Sequence, residues 1–298
     1  MRLHLGHELV VALGPDDGAA LAVDDLAHLP LLSSNADLGE RVPRTGCRNL
    51  GVTLETRLQL CGNVVLRLDG RRVEGELPGR LGRLLFVHLA VNRGRVVTRD
   101  ELLDALWPGE APAAVESSLS ALLSKTRRVA GPERLEGRSS LRLVLPADAW
   151  VDLDAATDGL HRAEAAFARR DWLGVYGPGR VTQHVCRRGF LPGEDAPWIA
   201  VVRRRVEELH VRSLELVGGA CLEIGGSETS TAERCARQLV ELAPYRESGH
   251  RLLMQVHAAT GNQAESLLIY EALRVRLRDE LGAAPSAETQ ALHATLLG

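Results

Sequence analysis

Between Ala113 and Val129 the sequence gathers Ser117, Ser120, Ser124, Lys125, Arg127 and Arg128 into a short stretch. Plotted at about 100° per residue, Val115, Leu119, Leu122, Leu123 and Val129 fall on one arc, joined by Thr126. The opposite arc collects Glu116, Ser117, Ser120, Ala121, Ser124, Lys125, Arg127 and Arg128. Small side chains let a helix backbone come close to another surface, while guanidinium, ammonium and hydroxyl groups donate to phosphates and base edges. An α-helix of that shape fits the major groove of double-stranded DNA, so the chemistry on offer is groove recognition. A solvated helix face is the alternative for the same residues.

Bond-breaking chemistry finds little support. Lys125 is the only lysine, and Leu122-Leu123-Ser124 precede it where a phosphate-cradling loop needs glycines. Neither a G-x-S-x-G elbow nor an H-E-x-x-H pair occurs. His250 and His257 are seven residues apart, on one face of a helix, but no third ligand stands at metal spacing. Cys47, Cys61, Cys186, Cys221 and Cys235 are widely spaced, without a C-x-x-C pair, and read as free thiols. No enzymatic activity, cofactor or metal is expected.

The length of 298 residues suggests two domains, and 45% hydrophobic with 25% charged residues is ordinary globular composition. A net charge of −3 does not announce a nucleic-acid partner, but its distribution does more. Residues 57–146 hold 15 Arg plus Lys against 10 Asp plus Glu, net +5, between flanks of net −4 each. Aromatic residues are only 3%, too few for the stacking platforms that bind single strands. The sequence contains neither a long apolar run nor a signal-type N-terminus, which points to a cytoplasmic protein without a membrane partner. Residues 1–56 show no sustained periodicity and read as irregular. Met1 and Met254 are the only methionines, and Val52 is an alternative start, so residues 1–51 are expected not to form a domain.

Elements that could position the basic helix surround it. Leu58-Gln59-Leu60 and Val64 to Leu68, followed by Asp69-Gly70, read as a small antiparallel sheet with a tight hairpin. Residues 80–92 carry Leu81, Leu84, Leu85, Val87, His88 and Leu89 at helical spacing and end at Asn92-Arg93-Gly94, where the glycine suits a left-handed cap. Val96-Val97 reads as a short strand, and Thr98 to Glu101 has the spacing of a reciprocal capping box. The helix begun there carries Leu102, Leu103, Leu106 and Trp107 and stops before Pro108-Gly109. Beyond Pro132, Arg134 to Arg138 and Leu141 to Leu145 read as a hairpin with basic residues near its tip.

That order resembles the OmpR-type winged helix-turn-helix over about residues 57–146. Arg95 to Pro108, followed by Leu119 and Ser124-Lys125-Thr126-Arg127-Arg128, is similar to SARP-type bacterial transcriptional regulators. The resemblance implies that Ser124, Lys125, Arg127 and Arg128 lie on a recognition helix, whose outer arc also carries Ser117 and Ser120 as candidate DNA contacts. It implies that Thr98 and Arg99 start the supporting helix near a phosphate, with Arg138 and Arg142 on the wing. The loop of Pro108, Gly109 and Glu110 matches the family's segment facing RNA polymerase, where Glu110 is a contact or a solvated turn residue. Ser140-Leu141 stands where relatives often have Gly-Tyr, and Glu116 where they often have Arg.

Residues 151–298, the bulk of a second domain over 147–298, are almost wholly helical in pattern. Ala243 to Met254, then Gly261-Asn262 and Gln263 to Glu271, describe a helix, a turn and a helix at tetratricopeptide-like spacing. Phe190 to Trp198 and Asp279 to Ser286 resemble the bacterial transcriptional activator domain of the same family. Asp195 is placed to start a helix, Trp198 and Tyr270 to pack, and Arg203-Arg204-Arg205 to form a solvated face. The expected fold is mainly α with a small β component, a winged helix-turn-helix followed by a helical repeat domain. The implied function is transcription regulation through double-stranded DNA, as an activator, with RNA polymerase or a second copy on repeated half-sites as partners. A protein-interaction scaffold whose winged helix no longer binds DNA is the competing class.

Overall fold

A computed structural model describes residues 55–109 and 113–298. The expectations for residues 1–51, Cys47 and Glu110 lie outside those residues.

The chain begins with β1 (Arg57–Gln59), β2 (Val65–Leu68) and β3 (Arg71–Arg72). Leu58 pairs Leu66 and Leu68 pairs Arg71 in antiparallel register. Asp69 and Gly70 form the turn with φ of 49° and 76°. Positive φ at both central positions gives the twist a two-residue hairpin needs, and Asp and Gly tolerate it. α1 (Gly79–Val91) follows, burying Leu84, Leu85, Phe86, Val87 and Leu89. It does not end on a left-handed Gly94: Asn92 caps it at φ −98°, its backbone and side-chain N–H groups both donating to His88 O. A polar side chain that reaches back to the orphan carbonyl replaces the glycine motif.

β4 occupies Val97–Thr98, one residue later than the sequence pattern suggests, because Val96 is half-exposed while Val97 is buried. α2 (Arg99–Leu106) and α3 (Val115–Ala130) come next, then β5 (Leu135–Glu136) and β6 (Ser140–Leu143). These strands form a three-stranded sheet in the order β4-β6-β5, the wing of the fold. β7 (Trp150–Val151) then returns to pair in parallel with β1, so the first sheet runs β3-β2-β1-β7. This strand stands at the threshold of the stretch whose pattern is almost wholly helical.

Seven helices complete the described chain: α4 (Asp152–Ala168), α5 (Trp172–Cys186), α6 (Pro197–Ile224), α7 (Thr229–Leu242), α8 (Glu247–Ala259), α9 (Gln263–Leu281) and α10 (Ala287–Leu297). Successive helices pack on one another, and α6 also meets α4 and α8, as stacked helix pairs do. Gly261, at φ 80°, makes the tight turn between α8 and α9. α6 begins at Pro197 with Ala196 as its cap, so Asp195 sits one residue outside the helix. Proline at the first helical position loses no hydrogen bond, which fixes the start there.

Leu58, Leu66, Phe86, Leu102, Leu119 and Leu141 share one buried core with Phe190, Ile199 and Val206. A second core joins Leu160, Val175, Leu214, Val217, Leu239 and Leu252 in the stacked helices. Cys61, Cys186, Cys221 and Cys235 are buried free thiols, and burial pushes Cys186 up to about 12. Among the described residues no helix is long and apolar enough to cross a membrane.

Candidate nucleic-acid interface

Three segments converge around α3, and each pair is tied by a specific contact. Thr98 Oγ1 accepts the Glu101 N–H at 3.2 Å and caps α2. The capping box is only half formed, because the Glu101 carboxylate turns to Arg95 and lies 3.5 Å from His88 Nε2. Its hydrogen bond to Arg95 holds Glu101 below the ordinary carboxylate range, while burial lowers His88. Arg99, on the first turn of α2, reaches across to α3: its guanidinium donates to Glu116 Oε2 at 2.8 Å and to Ser120 Oγ at 2.9 Å.

Arg127 ties α3 to the wing, with Nε donating to Leu135 O at 3.1 Å and Nη2 to Gly137 O at 2.7 Å. The wing returns to the start of α2 through β6, where Ser140 stands opposite Thr98. The α2 start, α3 and the wing are thus braced in a closed triangle. Gly137 makes the wing turn at φ 85°, and a side chain there would meet the Ser140 carbonyl.

On α3, Leu119, Leu123 and Thr126 of the sequence arc are buried together with Ala130, while Val115, Leu122 and Val129 are half-buried. Ser117, Ser120, Ser124, Lys125 and Arg128 are exposed, together with Thr98 and with Arg138 and Arg142 on the wing. Pro108 and Gly109 are exposed at the end of α2, with Gly109 at φ 101°. Most arginines of this region are spoken for. Arg71 pairs with Glu76, Arg72 with Glu74, Arg80 with Glu194, Arg93 with Asp154 and Arg95 with Glu101. Arg134, beside the wing, holds both Asp69 oxygens at 2.7 Å.

Among the described residues, the cations between 57 and 146 without a carboxylate partner are Arg67, Arg83, Lys125, Arg127, Arg128, Arg138 and Arg142. All but Arg67 and Arg83 lie on α3 or the wing. Arg99 and Arg127 have structural duties that spacing could not reveal, since their partners are distant or are backbone carbonyls.

The other side of the winged helix meets the helical half. Trp198 Nε1 donates to Ala105 O at 3.1 Å, and its ring stands edge-on to His88 at 4.8 Å and to Phe190 at 6.0 Å. Asp152, fully buried, accepts the N–H groups of Leu60 and Cys61, both at 2.9 Å. Burial nevertheless raises its carboxyl above the ordinary range. Arg203 does not face solvent with Arg204 and Arg205: it is half-buried and donates to the carbonyls of Phe190, Leu191 and Glu194. Carbonyls of an irregular loop have no ladder to satisfy them fully, and a planar guanidinium supplies several donors at once.

The family model for the bacterial transcriptional activator domain matches residues 179–297. Regulatory protein AfsR of Streptomyces coelicolor is 30% identical over 268 residues, covering 88% of this chain and 26% of AfsR. Transcriptional regulator RedD of the same organism is 30% identical over 245 residues, 72% of this chain and 63% of RedD. The chain therefore carries a match to the bacterial transcriptional activator domain and is similar to these SARP-type regulators. The solved structure of Mycobacterium tuberculosis EmbR, in complex with a low affinity phosphopeptide, matches at TM-score 0.71 and 23% identity, covering 82% of this chain and 65% of that chain. That likeness is one of fold, a winged helix followed by stacked helices. The chain spans less than two thirds of each of these relatives.

Proposed function

We propose that this chain is a DNA-binding transcription regulator, an activator, that inserts α3 into the major groove of promoter DNA. The observation that carries the reading is that Lys125 and Arg128 of α3 and Arg138 and Arg142 of the wing are exposed and, among the described residues, form no ion pair, although Arg142 stands cross-strand from Glu136. Cations left unneutralised on a groove-sized helix and an adjoining hairpin suit phosphates on either side of a groove. Ser117, Ser120 and Ser124 keep α3 slim enough for its backbone to approach the base edges. Thr98 and the α2 start sit where a phosphate would lie, and residues 57–146 form the DNA-binding region. The relatives AfsR and RedD are named as regulators, which agrees with this reading.

The helical half, residues 147–298, serves self-association or recruitment of RNA polymerase, with the loop from Pro108 as the polymerase-facing element. Selection of binding sites from fragmented genomic DNA tests the proposal. Enrichment of one sequence, lost when Lys125→Ala and Arg128→Ala are combined, is the expected result. No enrichment, with duplex binding indifferent to those substitutions, sinks it.

Glu116 favours the second reading, a scaffold that has given up DNA. It is exposed on the first turn of α3 and takes Arg99 out of play. Glu116→Ala discriminates: under the DNA reading it frees Arg99 for phosphate and steepens the salt dependence by about one. Under the scaffold reading, duplex affinity is absent before and after.

A further inference from the structure

The outer face of α5 carries a stripe that neither the winged helix nor the helical cores use. Leu173, Tyr176, Arg180, His184 and Arg187 recur at three- and four-residue intervals, which puts them on one side of the helix over about 21 Å. Leu173 is 77% exposed and Tyr176 39%, so the first turn offers bare apolar surface. Between them and Arg180, Gly177 leaves the backbone open, with nothing within 4 Å of where a Cβ would stand. Arg180 and Arg187 are exposed.

The basic half of this stripe has no internal counter-charge. α5 contains neither Asp nor Glu. Among the described residues, Arg180, Arg187 and the neighbouring Arg234 of α7 take part in no ion pair; Arg180 bonds to Gln183 and Arg234 to Thr231. Glu207 and Glu208 on the adjoining α6 do not pair with them either. Arg188 is the exception, lying 3.5 Å from the buried Asp152. After burial, the influences lowering His184 are Arg188, Arg187 and Arg180, and Arg187 likewise lowers His210 of α6. The charges acting on these histidines, Arg180, Arg187 and Arg188, are all positive and belong to α5 or the two residues that follow it.

We propose that this face of α5 docks an acidic polypeptide segment, apolar at the end that covers Leu173 and Tyr176 and carboxylate-bearing along Arg180, His184 and Arg187. The apolar half distinguishes such a partner from duplex DNA, whose backbone offers no apolar counterpart to an exposed leucine and tyrosine. The site is independent of the α3 surface, so loss of DNA binding leaves it intact.

The test uses the full chain and a fluorescein-labelled synthetic helix with leucines at one end and glutamates at i, i+4 positions beyond, read by anisotropy. Saturable binding that weakens with salt is expected. Arg180→Glu combined with Arg187→Glu should weaken it at least about tenfold, because attraction turns to repulsion at both sites. Leu173→Ala with Tyr176→Ala should weaken it as well, while duplex affinity stays unchanged in both variants. All four side chains are surface groups, and an unaltered melting transition confirms folding. Binding of the peptide should also raise the His184 titration followed by NMR. Absence of saturable binding overturns the proposal, as does undiminished, wild-type affinity in both double variants. A random duplex that displaces the peptide and itself depends on Arg180 and Arg187 would reassign the face to nucleic acid. A change of the chain from dimer to monomer in the charge-reversed variant would reassign it to a second copy.

Discussion

Phosphate recognition by α3 and the wing makes a quantitative claim about salt. Lys125, Arg128, Arg138 and Arg142 are exposed and have no carboxylate partner among the described residues. Each phosphate neutralised on B-DNA contributes about −0.9 to the slope of log affinity against log salt, so the four together account for about −3.6. A fourfold rise in salt then costs about 150-fold in affinity through these contacts alone. Anisotropy titrations of a labelled duplex at several salt concentrations measure the slope directly. Alanine at any one of the four should lower its magnitude by about 0.9, and alanine at all four should nearly abolish the dependence on this surface. Arg134→Ala is the control, because its guanidinium already holds both oxygens of Asp69. Equal slopes for wild type and the fourfold variant would refute the reasoning. So would a loss at Arg134 as large as that at Arg128, since ion pairing would then not be what decides which cations reach DNA.

Arg127→Ala removes two hydrogen bonds that hold the wing to α3 and should cost about 1–3 kcal/mol, with faster amide exchange around Gly137. Unchanged exchange there would show that the wing does not depend on this brace. Trp198→Phe keeps the edge-on contacts but loses the bond to Ala105 O, for about 1 kcal/mol by urea denaturation, whereas Trp198→Ala should cost about 3 kcal/mol or more. Comparable losses for the two would remove the packing argument. His88, His184, His210 and His250 are all lowered from about 6.5, with burial the largest cause. Their unfolded forms bind protons first as pH falls, so the urea midpoint should drop from about pH 7.5 to about pH 5.5, and His88→Gln should flatten part of that fall. A midpoint that rises on acidification contradicts the sign.

Much of the scaffold could be read from the sequence because it is written in local signals. The Asp69-Gly70 hairpin, the Thr98 cap, the Leu119 to Ala130 arc and the Gly261 turn each depend on residues within a few positions of one another. What the sequence did not disclose depends on partners far along the chain. Arg99 meets Glu116 and Ser120, Asp152 meets Leu60 and Cys61, and Trp198 meets Ala105, at separations no periodicity encodes. Arg203 reads as one of three equivalent surface arginines until its backbone acceptors are seen. The α3 residues share this division. Their exposure follows from helical phase, but whether a given cation is free depends on which carboxylate the fold brings near it.

The same long contacts bear on how the DNA face could be isolated. Residues 57–146 contain all of the proposed DNA-binding residues, and freed of acidic flanks they should attract duplex more strongly on charge alone. As a folding unit that stretch is incomplete. It lacks β7, which covers the open edge of β1, and it lacks Asp152, which satisfies the Leu60 and Cys61 N–H groups. It also lacks Phe190, Ile199 and Val206, buried members of the core that Leu58, Phe86 and Leu102 belong to. Large side chains of that kind contribute about 2–5 kcal/mol each when packed, against a total stability of about 5–15 kcal/mol for a domain. A fragment ending at 146 should therefore unfold without a cooperative transition, while one extended through α6 should unfold cooperatively and carry the stronger duplex binding. A sharp urea transition in the 57–146 fragment would mean that the winged helix holds its own core, and that the contacts from α4 to α6 position it without sustaining it.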